Sequence, residues 1–188
     1  MLVYKLTDSV LRTHGSTFQW EIGVPREIDP KCYTTSLCTC GFFHWYRDPL
    51  LAVLHDPIHG KFGPSARLFE SEAEGTILEE GQMKGGSTKL TLLREIPLPV
   101  VTKEQRISYD ILCAMEVTSD ETWRSWASKW LSGEDRTVEY AAAVGADTAA
   151  YAAAYAAYAA AAGLAVAAAG KPLDLIAIAK KAVEGDTP

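Results

Sequence analysis

The sequence predicts an α+β fold: a small, mostly antiparallel sheet followed by an α-helical C-terminal half with a long alanine-rich helix. Residues 1–100 hold alternating and aromatic runs separated by turn residues, which is typical of strands. After Pro99 the apolar residues recur every three or four positions, which indicates helices. Residues 140–170 contain 19 alanines among 31 residues, and alanine is the strongest helix former.

The composition is that of an ordinary folded protein. The chain has 188 residues, of which 48% are apolar and 22% charged, enough to bury a core. Its net charge of −6 argues against direct nucleic-acid binding, because such binding depends on Lys and Arg neutralising phosphates. The N-terminal residues do not resemble a signal peptide, so we expect a cytoplasmic protein. The sequence has no P-loop and no Rossmann glycine fingerprint, so we expect no cofactor. The four cysteines are too few for a dense disulfide framework and are expected to be reduced: Cys32, Cys38, Cys40 and Cys113.

Five segments of the N-terminal region have the pattern of strands. In chain order they are LVYKLT, TFQWEIGV, GFFHWYR, ARLFESEAEG and TKLTLLREIPL. We expect the last two to be consecutive strands joined by the connection EEGQMKGGS. Between the third and fourth segments, DPLLAVLH predicts a short buried helix with Asp48 as its N-cap and Pro49 at its first position.

Two capping boxes predict helices after Pro99. Thr102 with Gln105 opens the first, and Thr118 with Glu121 is expected to open the second. Gly133 is expected to end the second helix. One face of that helix carries three indoles, for which core packing is the favoured interpretation over a ligand platform: Trp123, Trp126 and Trp130.

We predict two domains, with residues 1–136 forming the α+β domain and residues 137–188 an alanine-rich helical tail. One stripe of the tail carries tyrosines that are candidate partner-binding residues: Tyr151, Tyr155 and Tyr158. The other faces are nearly all methyl groups, without the Lys and Glu that solvate an exposed helix. A membrane span is disfavoured, because alanine is weakly apolar and tyrosine prefers the membrane interface. We therefore expect the tail to pack on its own domain or on another subunit, in a homo-oligomer.

The last segment, KPLDLIAIAKKAV, predicts an amphipathic helix that folds back against the alanine-rich helix. Pro172 lies near its start. The residues expected to face inward are Leu173, Ile176 and Val183.

A cysteine-rich stretch offers residue types that bind zinc. Cys32, Cys38, Cys40 and His44 supply thiolate and imidazole ligands, of which zinc needs about four. Their spacing lacks the C-x2-C pairs of standard zinc sites. Ordinary thiols without a metal are therefore the favoured interpretation, with zinc as the alternative.

His55 and His59 flank an Asp-Pro dipeptide. Pro57 disfavours a continuous helix, so we do not interpret the pair as the i, i+4 ligand pair of a metalloprotease. The two histidines could converge with His44 and Tyr46 at one end of the sheet and form a ligand pocket. Exposed imidazoles at a capped turn are the favoured interpretation, and the ligand pocket is the alternative.

Alternating glutamates and a short His-Gly-Ser element raise the possibility of catalysis. Glu70, Glu72 and Glu74 project from one strand face, suited either to acid–base chemistry or to solvent exposure, which we favour. Residues 13–17, THGST, resemble the element that ADP-ribosyltransferase-like folds use to hold nicotinamide dinucleotide. That resemblance implies catalytic roles for His14, Tyr46 and either Glu70 or Glu72. A glycine turn between two strands is the favoured interpretation of the element, because such short motifs arise by chance.

Four blocks together resemble a family of unknown function carried by tailed bacteriophages and some bacteria. They are LCTCGFFHWYRDPLLAVLHDPIHGKF, ARLFESEAEG, KGGSTKLTLLREIPLPVVTKEQRISYDILCAMEV and WLSGEDRT, and the likeness covers residues 2–136. The family typically ends in a variable alanine-rich helical tail. It keeps a cysteine like Cys38 but not Cys32 or Cys40, which weakens the zinc hypothesis. The resemblance implies an accessory protein that acts in the host cytoplasm.

Three functional hypotheses follow. The favoured one is a non-enzymatic phage accessory protein, an anti-defence inhibitor that captures a host protein or a nucleotide signal. The alternative is an ADP-ribosyltransferase-like enzyme acting on a nicotinamide dinucleotide. A third hypothesis is a structural protein that assembles through its alanine-rich helix.

Overall fold

The computed structural model describes residues 1–136 and 173–185, apart from positions 14, 16, 38 and 117. The chain divides into two compact units, Met1–Val100 and Val101–Pro188, so the predicted boundary after residue 136 lies inside the second unit. The first unit contains an antiparallel sheet and the described part of the second is helical, which confirms the predicted α+β class. The predicted alanine-rich helix lies outside the described residues.

The sheet of the first unit is built around one long hairpin. Its strands are β1 (Leu2–Thr7), β4 (Arg26–Glu27), β5 (Phe43–Trp45), β6 (Arg67–Glu80) and β7 (Lys84–Ile96). A separate two-stranded sheet pairs β2 (Arg12–Thr13) with β3 (Phe18–Gln19). In the larger sheet β1 pairs with β6 and β6 with β7, and the other edge of β7 pairs with β5 and with β4. All these pairings are antiparallel.

The hairpin is longer than the sequence pattern predicts. The strands β6 and β7 run through most of the expected connection EEGQMKGGS, and only residues 81–83 remain as the turn. Gly85 and Gly86 belong to β7, where they pair with Trp45 and His44. A Cβ atom at Gly85 would lie 2.1 Å from the Trp45 ring. These glycines therefore allow close packing inside a strand, whereas the sequence pattern interpreted them as loop residues.

The strand pairings form a closed circuit. Tyr4 in β1 and Tyr46, which follows β5, exchange two backbone hydrogen bonds of 2.9 and 2.8 Å. This contact, which we call the seam, joins the free edge of β1 to β5, so that β1, β6, β7 and β5 enclose a core. The core residues are buried and mostly large: Val3, Trp20, Ile28, Phe43, Trp45, Phe69, Ala73, Leu90 and Leu92. Closure leaves fewer exposed strand edges, which are a common route to aggregation.

The predicted second strand is mostly irregular. Only Phe18–Gln19 of the segment TFQWEIGV forms a strand, and Gly23 turns the chain with φ of +78°. The Gln19 side chain donates hydrogen bonds to the carbonyls of Val10 and Leu11, at 2.9 and 3.2 Å. These side-chain contacts add to the short pairing of β3 with β2, in which Gln19 lies opposite Arg12.

Helix α1 (Pro49–His59) begins as predicted but ends later. The Asp48 carboxylate accepts a hydrogen bond from Leu50 N at 2.8 Å, which confirms the N-cap. The helix continues through Pro57, so the expectation of a break was wrong. Pro57 lacks a backbone N–H and so removes one hydrogen bond from the helix. Hydrogen bonds to Asp56 hold the turn that follows the helix. Asp56 accepts backbone hydrogen bonds there on both its carbonyl and its carboxylate, from the N–H groups of Gly60, Lys61, Phe62 and Gly63.

The second unit contains α2 (Lys103–Met115), α3 (Glu121–Leu131) and α4 (Leu175–Glu184). The capping box of Thr102 and Gln105 is confirmed at the start of α2. The second predicted box was wrong, because Asp120 rather than Thr118 caps α3. Asp120 directly precedes the first residue of the helix, and its carboxylate accepts hydrogen bonds from the backbone N–H groups of Thr122 and Trp123. No helix in the described part of the chain is long and apolar enough to cross a membrane.

Tryptophans form the core between α2 and α3. Trp126 and Trp130 are buried beside Ile111, and Trp123 packs against them, as predicted. Helix α3 ends at Leu131, followed by Gly133 with φ of +77°.

Helix α4 packs against α2, and the Gln105 side chain donates a 3.1 Å hydrogen bond to the carbonyl of Val183. Its buried residues are Leu175, Ala179 and Ala182. The inward face was predicted as Leu173, Ile176 and Val183, which are only half-buried. Small alanines let the two helices approach closely and so define the buried face.

Candidate functional site

Three rings meet where helix α1 ends beside strand β5. The centroids of Tyr46 and His55 lie 6.0 Å apart, those of Tyr46 and His59 6.0 Å, and those of the two histidines 5.7 Å. We call these residues the histidine–tyrosine cluster. The structure therefore brings together three of the residues that the alternative interpretation suggested as a ligand site. The favoured interpretation of exposed imidazoles was wrong for His55, which is buried, and His59 is half-buried.

Helix α1 places the two histidines on one face. Because α1 continues through Pro57, His55 and His59 occupy positions i and i+4, one turn apart. His55 is buried, and its Nδ1 lies 3.2 Å from the carbonyl oxygen of Met83, to which it donates. The Tyr46 hydroxyl hydrogen-bonds His59 Nδ1 at 2.8 Å. Two of the three rings are thus fixed by hydrogen bonds to groups outside α1.

Burial keeps both imidazoles neutral at physiological pH. Desolvation lowers the pKa of His55 to about 4, with the nearby charge of Lys84 acting in the same direction. Desolvation also lowers the pKa of His59 to about 3, helped by the potential positive charges of His55, Lys84 and His44. A neutral imidazole both donates and accepts a hydrogen bond, which suits polar ligand groups. Lys84 acts electrostatically on both histidines, and its potential positive charge favours a negative charge beside the cluster.

His44 and Lys84 border the cluster on neighbouring strands. Register places His44 opposite Gly86. His44 is half-buried, and its Nε2 contacts the carbonyl oxygen of Leu37. Lys84 is buried at the start of β7, directly after Met83, whose carbonyl holds His55. His44 was a predicted site residue, whereas Lys84 was not.

The proposed zinc ligands are only partly brought together. The Sγ atom of Cys40 lies 4.0 Å from the carbonyl oxygen of Cys32. His44 instead contacts Leu37. Cys38 lies outside the described residues. Among the described residues, no three His, Cys, Asp or Glu side chains are grouped closely enough to hold a metal ion.

The proposed catalytic glutamates lie on the hairpin surface. Glu70 forms a bidentate ion pair with Arg94, at 2.6 and 2.8 Å, and Glu74 pairs with Lys89 at 2.8 Å. Glu72 is exposed. These contacts agree with the favoured interpretation of a solvent-exposed strand face. His14, the remaining member of the ADP-ribosyltransferase-like set, lies outside the described residues.

Two lysines that the sequence analysis did not select lie near the site. Lys5 shares the inward face of β1 with Val3, and its Nζ donates a 2.6 Å hydrogen bond to the carbonyl of His44. It also lies 5.6 Å from the centroid of Trp20, and burial lowers its pKa to about 7. The signal for Lys5 was strand alternation, which places it beside Val3. Lys84 had no local signal, because its position depends on the pairing of β5 with β7.

Replacement of Tyr46 by phenylalanine is expected to lower the free energy of unfolding by about 1 kcal/mol. The change removes the hydrogen bond to His59 Nδ1 and leaves the ring in place. Urea denaturation measures the effect. Tyr33→Phe is the matched control, because Tyr33 is 51% exposed and is expected to change stability much less. Equal effects of the two variants would contradict a stabilising role for the Tyr46 hydroxyl.

Comparison with protein families shows that the chain belongs to the family described as Domain of unknown function (DUF7666). The family model matches residues 1–104, more than half of the chain, and so includes the histidine–tyrosine cluster, His44 and Lys84. Searches of curated proteins and of solved structures found no match.

Proposed function

We propose that the protein is a non-enzymatic accessory protein of phage type that captures a nucleotide signal of the host, as an anti-defence inhibitor. The observation that carries this proposal is the histidine–tyrosine cluster beside Lys84. His59 is the half-buried ring of the cluster, and an imidazole face stacks on a nucleobase while a lysine attracts phosphate. The resemblance to a phage family supplies the host setting.

The electrostatics of the cluster support an anionic ligand. Desolvation is the main cause of the lowered pKa of His59, and potential charges on His55, Lys84 and His44 act in the same direction. Because the His55 imidazole is neutral at physiological pH, we assign the attraction for an anion to Lys84. The whole chain carries a net charge of −6, so any attraction for phosphate must come from a local group. Lys84 is the lysine that acts electrostatically on both cluster histidines.

A binding role fits the arrangement of these groups better than catalysis does. The cluster histidines have pKa values of about 4 and about 3, well below the range near 7 that suits a general base. Of the two carboxylates named for the transferase alternative, Glu70 is paired with Arg94 and Glu72 is exposed on the hairpin surface. A nucleotide held by stacking and by Lys84 needs neither group.

The test is isothermal titration of the full-length protein with a defined set of probes: a cyclic dinucleotide, a nucleoside triphosphate, nicotinamide adenine dinucleotide and the corresponding nucleosides. We expect at least one nucleotide to bind, its nucleoside to bind more weakly, and affinity to fall as salt rises. Lys84→Met is expected to weaken binding by about tenfold, the loss of one charged contact. Lys89→Met is the matched control, because it removes the same charge from the same strand at a site paired with Glu74.

The outcomes separate the competing hypotheses. Equal loss of affinity in both lysine variants would contradict the assigned site. Nicotinamide release from the dinucleotide would favour the transferase alternative. If no nucleotide binds and the immobilised protein retains a host protein, the nucleotide hypothesis is wrong and a protein partner is favoured.

A further inference from the structure

Two cysteine side chains meet at the ends of one short loop. Cys32 ends a 3₁₀ turn, Pro30–Cys32, and Cys40 lies shortly before β5. The Cys40 Sγ atom is 4.0 Å from the Cys32 carbonyl oxygen, and the Cys40 side chain lies close enough to the Cys32 thiol to raise its pKa. Both cysteines are reduced in this structure.

The loop between them is held by its own side chains. The Asp29 carboxylate caps the 3₁₀ turn by accepting from Lys31 N at 2.9 Å. Thr34 Oγ1 accepts from Ser36 N at 2.9 Å, and Thr39 Oγ1 donates to the Ser36 carbonyl at 2.8 Å. Because these bonds order the loop, the contact between its ends is part of the folded state.

The packing at Gly41 also holds the ends of the loop together. A Cβ atom there would lie 2.7 Å from the Cys32 carbonyl oxygen and 2.3 Å from the Thr34 methyl group. The backbone next to Cys40 therefore lies directly against the backbone of Cys32.

The two thiols differ in exposure. Cys40 is exposed, whereas Cys32 is half-buried and packs against the core of the sheet. The nearby Cys40 side chain, followed by burial, raises the pKa of Cys32. Cys40 is therefore the thiol that an external oxidant reaches first. Cys113 is buried in α2, and burial raises its pKa to about 12, so it should be unreactive.

We propose that Cys32 and Cys40 form a reversible intramolecular disulfide, with a small disulfide such as oxidised glutathione as the oxidant. The Cys40 thiolate attacks one sulfur of that oxidant, which forms a mixed disulfide and releases one glutathione thiolate. The Cys32 thiolate then attacks Cys40 Sγ, breaks the mixed disulfide and releases the second glutathione thiolate. The protein loses two electrons and two thiol protons, and the oxidant is reduced to two glutathione molecules.

The bond would lock a loop that contacts a predicted site residue. Leu37 lies between the two cysteines, its side chain is fully buried, and its carbonyl oxygen contacts Nε2 of His44. A disulfide between Cys32 and Cys40 restricts the loop and with it this contact. Disulfides in cytosolic proteins are usually transient and serve sensing or catalysis, which fits a reversible bond. The inference does not depend on nucleotide binding.

Mass spectrometry of the folded, full-length protein tests the proposal. The protein is equilibrated in buffers of increasing oxidised-to-reduced glutathione ratio, alkylated and digested with chymotrypsin. Cleavage after Tyr33 and Leu37 separates Cys32 from Cys40. Cys38→Ser is included because Cys38 lies two residues from Cys40 and would stay on the same peptide. Cys113→Ser is the control for the distant thiol.

We expect a Cys32–Cys40 crosslink in the wild type, Cys38→Ser and Cys113→Ser. The bond should also slow amide exchange of residues 33–39. In Cys32→Ser we expect Cys40 to accumulate as the glutathione adduct, since no second thiol resolves it. A crosslink formed mainly through Cys38 would overturn the proposal. So would Cys32 and Cys40 that both stay reduced at oxidised-to-reduced glutathione ratios that oxidise other protein dithiols.

Discussion

Replacement of Gly85 by alanine is expected to destabilise the first unit by about 3 kcal/mol, the upper end of the usual cost of overpacking. The added Cβ would lie 2.1, 2.3 and 2.5 Å from three ring carbons of Trp45. Carbon atoms normally meet at about 3.5–4.0 Å, so this overlap requires movement of the indole. Trp45 is fully buried, however, so its ring cannot move without displacing other core side chains. The midpoint of urea denaturation measures the loss.

Two further variants identify the cause. Gly15→Ala tests backbone strain alone, because Gly15 has φ of +61° and no atom within 4 Å of the added Cβ. Its cost should be about 1 kcal/mol. In the Trp45→Phe background, Gly85→Ala should cost less than in the wild type, since the smaller ring leaves room. If the cost is the same with either ring, overlap with Trp45 is not the reason.

Acidification from pH 7 to pH 4 is expected to destabilise the first unit by roughly 3 kcal/mol through His55 alone. The folded-state pKa of His55 is about 4 and that of His59 about 3, both below the unfolded value of 6.5. Between these values the unfolded chain binds more protons than the folded one. The stabilising contribution is therefore complete above pH 6.5, and it is lost by about pH 4 for His55 and about pH 3 for His59.

The expected acid sensitivity is large compared with the stability of a typical domain, which is about 5–15 kcal/mol. The measurement is hydrogen exchange of residues 67–96 under increasing urea at several pH values between 7.5 and 4.5, which reports on the first unit alone. The double variant His55→Asn, His59→Asn should be less stable at neutral pH but much less dependent on pH. Asparagine can donate toward the Met83 carbonyl as His55 does, and it does not titrate.

Glu95→Gln provides the comparison for surface charge. Glu95 pairs with Arg67, mainly through hydrogen bonding that lowers its pKa, and it is largely exposed. Its replacement should leave the pH dependence above pH 5 close to that of the wild type. If the double histidine variant loses stability on acidification as steeply as the wild type, groups other than His55 and His59 bind the protons that destabilise the folded state.

The sequence was most informative where structure depends on neighbouring residues. The N-cap at Asp48 and the capping box of Thr102 and Gln105 each need only three or four consecutive residues, and both were predicted correctly. The indole face of α3 follows from a helical period in the same way. Such short-range signals were sufficient for the fold class and for most of the elements.

Predictions failed where distant residues override a local preference. Pro57 disfavours a helix locally, yet α1 continues through it and ends in a turn held by Asp56. Gly85 and Gly86 suggest a loop locally, yet Trp45, Leu37 and Phe42 occupy the space in which side chains would lie. Both outcomes depend on contacts between residues far apart in the chain.

The candidate site was predictable only in part for the same reason. His44, Tyr46, His55 and His59 were selected as a group because they lie within sixteen residues of one another. Lys84 enters through the pairing of β5 with β7, which no local pattern specifies. The predicted glutamates lie on β6, whereas Tyr46 follows β5, and Glu70 is paired with Arg94.

The seam between Tyr4 and Tyr46 has a consequence for motion. The seam consists of a single pair of residues. Breaking its two backbone hydrogen bonds should therefore need less free energy than separating the paired strands β6 and β7. Tyr46 belongs both to the seam and to the histidine–tyrosine cluster, where its hydroxyl hydrogen-bonds His59 Nδ1. A ligand that holds Tyr46 in place would therefore also restrain β1. Slower deuterium exchange of the Tyr4 amide in the presence of the ligand than in its absence would show this restraint.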